Sequence, residues 1–168
     1  MWYDEIYMRM RKAEIFHSEM ADIFMFLGFI DWHKLHVRQF KEETKEQRRF
    51  KEAIMRHYGE LVIQKNNLAE DDKLWFVGYY EKENTAVALK KLWDRYLEYE
   101  KETCTTYEYL LSESLKNNDM KAFSLIKPLL VDVLAEIKKI KSIINILEAI
   151  GYDVQTIISM QKGSVLNG

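Results

Sequence analysis

The sequence predicts an all-α fold, a four-helix bundle with a short fifth helix at its C-terminal end. Three observations lead there. Apolar residues recur at alternating three- and four-residue steps over most of the chain, the signature of helices with one buried face. Only 6 glycines and 1 proline punctuate 168 residues, too few for many short strands and tight turns. The breaks between periodic stretches run short, long, short, which suits two antiparallel hairpins joined by one long crossover.

The first periodic stretch places Ile6, Met10, Ala13, His17, Met20, Phe24 and Leu27 on one face and stops at Gly28. Asp31 is the expected N-cap of the second helix, because its carboxylate can accept an unpaired backbone N–H. That helix is expected over about 31–65, with His36, Phe40, Glu43, Gln47, Phe50, Ile54, His57 and Leu61 inward, ending at Asn66 and Asn67. Residues 66–85 hold no sustained period and are aromatic-rich, with Trp75, Phe76, Tyr79 and Tyr80. So long a connection inside a compact domain calls for a role, and running the chain back along the bundle is one it can reach. The third helix begins near Thr85 and turns Leu89, Trp93, Tyr96, Glu100, Thr103, Tyr107, Leu110 and Ser114 inward. Residues 116–121 form a turn with Asp119 as N-cap. The fourth helix presents Ile126, Leu130, Val133, Ile137, Ile140, Ile144 and Leu147, and Pro128 should kink it or mark its start. Gly151 ends it, and a short helix from Val154 to Met160 follows, capped by Asp153. The whole chain, 1–168, reads as a single helical domain.

Charge narrows the function. With 25 basic and 27 acidic residues the formal net charge is −2, so no basic excess points to nucleic acid or an anionic membrane. Charges at Asp4, Glu5, Arg9, Arg11, Lys12 and Glu14 leave no apolar signal core, and no stretch is long enough to span a bilayer. A single cysteine, Cys104, excludes an internal disulfide framework. A cytoplasmic protein is expected. No phosphate-cradling glycine loop is present, nothing marks Cys104 as an activated nucleophile, and no catalytic residue is assigned. The apolar Trp2, Tyr7 and Phe16 on the outer side of helix one, with the crossover aromatics, suggest a homodimer or larger assembly.

Polar residues interrupt the inward faces at His17, at Glu43 with Gln47, and at Glu100. In the crossover topology the first loop, the start of helix three and the end of helix four share one end, and counted from it Glu14, Glu43, Glu100 and Glu136, one per helix, stand at the same height to within roughly one turn. Two readings compete. The glutamates are bonded to tyrosine, lysine or water, or they hold a carboxylate-bridged pair of metal ions. Iron or manganese would suit such a mixed carboxylate and imidazole set.

At these residues the chain resembles the ferritin-like superfamily. Residues 97–148 are similar to the third and fourth helices of bacterial ferritins, through the Glu100–Lys101 pair, the Asn117–Asn118–Asp119 turn and Glu136. The segment FLGFIDWHKLHVRQFKEETKE, residues 26–46, is similar more loosely. The resemblance implies two hairpins, a long crossover and a two-metal centre, with Glu14 and Glu100 as ligands on helices one and three. It places Glu43 and Glu46 where a Glu-x-x-His motif belongs, and Glu136 on helix four. The motif histidine is missing, and Val133 stands where Glu136 should have an acidic partner. His17, one turn after Glu14, could supply the nitrogen instead. These departures imply a degenerate centre and a non-catalytic assembly or interaction protein. A di-iron or di-manganese carboxylate protein and a bundle that binds an apolar ligand are the alternatives.

Overall fold

Five α-helices make up the structure, a computed structural model that describes residues 1–62 and 84–162. They are α1 (Trp2–Leu27), α2 (Ile30–Tyr58), α3 (Thr85–Lys116), α4 (Met120–Ala149) and α5 (Val154–Lys162), and no strand occurs among the described residues. No helix among them is long and apolar enough to cross a membrane. The chain divides into two compact units, one holding α1 and α2, the other α3, α4 and α5. The expected crossover over 66–85, with Trp75, Phe76, Tyr79 and Tyr80, lies almost wholly outside the described residues.

The first unit is an antiparallel hairpin folded at Gly28. Gly28 adopts φ 89°, a left-handed conformation open to glycine at little cost. Its N–H bonds the Met25 carbonyl and the Phe29 N–H bonds the Phe24 carbonyl, so two of the last carbonyls of α1 are satisfied. Phe29 and Phe24 are both buried, and the Trp32 ring lies 5.2 Å from each of theirs. The inward face of α1 agrees with its periodicity, from Ile6 to Phe24. Tyr7 and Phe16 are buried too, and Trp2 packs edge-on against Phe50 and Tyr58. These three residues therefore do not form an outer apolar face. The buried surface of α1 is wider than a single stripe.

α2 differs from expectation at both ends. Phe29, not Asp31, precedes its first turn, and Asp31 lies inside that turn, where its charge favours the helix dipole. The helix stops at Tyr58, not near residue 65. Gly59 takes φ 69° and its N–H bonds the Met55 carbonyl at 3.0 Å, closing the helix. His57 and Leu61, expected to face inward, are exposed.

In the second unit α3 and α4 form another antiparallel hairpin. Its turn is a compact double device. Asn118 sits left-handed at φ 53°, the Asp119 N–H bonds the Ser114 carbonyl, and the Asp119 carboxylate accepts the Ala122 N–H at 3.0 Å. One residue thus ends α3 and caps α4. Every residue expected on the inward face of α3 is buried, Glu100 included. On α4 the same holds for Ile126, Ile137, Ile140, Ile144 and Leu147, while Leu130 and Val133 are half-buried. Pro128 does not mark the start of α4. It is exposed within a helix that begins at Met120, so its missing N–H falls on the solvent side. Asp153 caps α5 through the Thr156 N–H and hydroxyl, at 2.9 and 2.7 Å.

Candidate functional site

Glu14 is the best-placed candidate ligand, and its surroundings are made by two helices. On α1, Arg11 lies one turn before it and forms an ion pair with Glu14 Oε2. On α2, Thr44 donates its hydroxyl to Glu14 Oε1 at 2.9 Å, and Gln47 donates its amide to Oε2 at 2.9 Å. Gln47 Nε2 also reaches the Met10 carbonyl at 3.3 Å. Antiparallel packing sets this register, because α2 residues fifteen to twenty positions past the turn lie beside α1 residues a similar count before it. The carboxylate is only 13% exposed, and three donors of the same chain answer its charge. The α2 residues that bond Glu14 are thus Thr44 and Gln47. Glu43 and Glu46 are part-exposed on the same helix.

One turn further along α1, His17 meets His36 of α2. Their Nδ1 atoms are 2.9 Å apart, the rings lie nearly parallel, and both residues are buried. A hydrogen bond between two Nδ1 atoms needs one donor and one acceptor, so the pair consists of two different tautomers when neutral. Burial pushes His17 down to about 3, and burial with the facing His17 holds His36 well below its usual range. Phe24 stacks on His36 at 5.3 Å and Phe16 meets His17 edge-on. His33, nearer the turn, bonds the Ala21 carbonyl at 2.8 Å, which makes its Nδ1 a donor. The pairing of His17 with His36 was not among the expected contacts. Both positions lie on inward faces, and counted from Gly28 the two heights, 28 − 17 = 11 and 36 − 28 = 8 residues, agree to within one turn.

The other two candidates belong to the second unit. Glu100 is buried on α3, at 7% exposure. Glu136, on α4, accepts the Tyr96 hydroxyl at 2.9 Å, with the Lys139 ammonium 3.7 Å from its other oxygen. Among the described residues no three His, Cys, Asp or Glu side chains are grouped so as to hold a metal ion. Cys104 is buried, and burial together with Glu108 raises its thiol above the usual range, the reverse of nucleophile activation.

A metal pair of the ferritin kind fits these residues poorly. Bridging carboxylates need free lone pairs facing a common point, and both Glu14 oxygens already accept from Thr44, Gln47 and Arg11. His17, the substitute nitrogen ligand, directs Nδ1 at His36. Comparison with protein-family models, with curated proteins and with solved structures finds no match.

Proposed function

We propose that this chain is a ferritin-like helical bundle that works as a non-catalytic assembly or interaction protein, in which polar packing has replaced the metal centre. One observation carries the reading. The Glu14 carboxylate, one of the positions the resemblance assigns as a ferritin ligand, is answered on both oxygens by Thr44, Gln47 and Arg11. A carboxylate held this way ties α1 to α2, with three of its roughly four acceptor positions already taken by protein donors. The histidine pair supports the same reading, since His17 bonds another imidazole in a setting that disfavours charge.

Metal analysis tests this. Purified protein incubated with excess Fe(II) or Mn(II) under air, then desalted, should retain well under one ion per chain. Retention of two ions per chain, abolished by Glu14→Gln, would establish the di-metal alternative and overturn the proposal.

A further inference from the structure

The start of α2 carries ionic side chains that the rest of the chain leaves unanswered. Asp31, Lys34 and Arg38 form no hydrogen bond or ion pair with any described residue. Further along the same helix the bases are answered, Lys45 by Glu42 and Arg48 by Glu52. Together with His33 and Val37, the three unanswered residues line a cavity of about 470 Å³. Lys34 and Arg38 are exposed, while Asp31, His33 and Val37 are half-buried. All five belong to the first unit.

Helical spacing explains why they share one space. Lys34 and Arg38 are four residues apart, so they stand one turn apart on the same side of α2, and their head groups can converge on one oxyanion. Asp31 precedes Lys34 by three residues, and His33 precedes Val37 by four. The polar groups then divide by what they can bond. An ammonium and a guanidinium only donate, and they suit a phosphate. The Asp31 carboxylate only accepts. His33 Nδ1 lies 2.8 Å from the Ala21 carbonyl, which cannot donate, so the ring proton sits on Nδ1 when the imidazole is neutral. Its Nε2 is then an acceptor, and it bonds no described residue. A ligand that answers all four groups presents an oxyanion to Lys34 and Arg38 and hydroxyls to Asp31 and His33. Inorganic phosphate meets only the first need, and Asp31 repels it. The cavity lies within the range that takes small molecules, roughly 300–1,000 Å³.

We propose that the cavity beside the start of α2 binds a small hydroxylated phosphate monoester, such as a sugar or polyol phosphate, with its phosphate on Lys34 and Arg38 and its hydroxyls on Asp31 and His33 Nε2. A monoester carries a charge of about −1.5 to −2 at neutral pH, which matches the two bases. The proposal does not depend on the assembly reading, and it assigns the site binding alone. A nucleic acid suits the site less well, because two bases answer few phosphates and Asp31 stands among them.

Isothermal titration of the full chain at about 50 mM salt tests this, with glucose 6-phosphate and glycerol 3-phosphate as ligands and inorganic phosphate and glucose as comparisons. Both esters should bind saturably, inorganic phosphate should bind roughly 10-fold more weakly, and glucose should not bind measurably. Lys34→Gln and Arg38→Gln should each weaken glucose 6-phosphate roughly 10-fold, the worth of a hydrogen bond to a charged group. Asp31→Asn removes a charge that repels phosphate, so it should tighten inorganic phosphate more than glucose 6-phosphate and narrow the preference between them. Lys138→Gln, on α4, should change nothing. Circular dichroism confirms that each variant folds. No saturable binding of either ester up to about 10 mM would overturn the proposal. Equal affinity for inorganic phosphate and the esters would overturn it too, and so would an equal loss in Lys138→Gln. A fluorescent single-stranded DNA that binds more tightly than either ester, and is weakened by Arg38→Gln, would assign these bases to polyanions and overturn it.

Discussion

His17 and His36 share one proton between two Nδ1 atoms, and a second proton has nowhere to go except into a buried, apolar setting. Neutrality in the folded state has a consequence for stability. The unfolded histidines take up protons as pH falls below 6.5, whereas His17 stays neutral down to about 3 when folded. The unfolded chain then binds more protons, so stability is full above pH 6.5 and falls as the solution is acidified towards 3. Each histidine that remains neutral lowers stability by about 1.4 kcal/mol per pH unit in this window, or about 2 kcal/mol for His17 between its usual value and pH 5. Glu19 acts with the opposite sign, because burial and Asp22 raise its carboxyl. Urea unfolding at pH 7.5 and 5 should therefore show a clear loss, much reduced in a His17→Gln, His36→Asn variant. Equal stability of the wild type at both values would exclude a neutral buried pair.

Helix ends account for much of what separates expectation from structure. α1, α3 and α4 were legible from spacing alone because their inward positions are mostly large and apolar, so burial follows the period. The Asp119 and Asp153 caps were legible too, since an aspartate just before a periodic run has one local use. The end of α2 was not. Leu61 and Val62 continue the apolar period past Gly59, so spacing extends the helix, while the left-handed Gly59 closes it. An added Cβ at Gly59 would meet nothing within 4 Å, so Gly59→Ala tests backbone conformation alone. It should destabilise by about 1 kcal/mol, read from the denaturation midpoint. Asp119→Ala removes the cap that joins α3 to α4 and should cost about 0.5–2 kcal/mol. If Gly59→Ala were neutral, α2 would not end in a left-handed residue.

Across the whole molecule, function turns on whether interior polar groups serve packing or chemistry. Spacing shows that glutamates occupy inward or bordering positions, but a carboxylate that ligates and one that is answered by neighbours look alike until helix register is known. For Glu14 the register decides, because it brings Thr44 and Gln47 within hydrogen-bond reach. Glu136 is likewise answered by the Tyr96 hydroxyl. Glu14→Gln would replace a charge that satisfies Arg11, Thr44 and Gln47 with an amide that cannot accept on both sides, at a cost of about 1–3 kcal/mol. A metal pair would make the same substitution destabilising by another route, since a ligand and its binding free energy would be lost. A chelator separates the two. The most direct measurement is the melting temperature of wild type and Glu14→Gln, each with and without excess EDTA. Polar packing predicts a lower melting temperature for Glu14→Gln and no effect of EDTA on either protein. A wild-type melting temperature that EDTA lowers to that of Glu14→Gln, itself insensitive to EDTA, would contradict it.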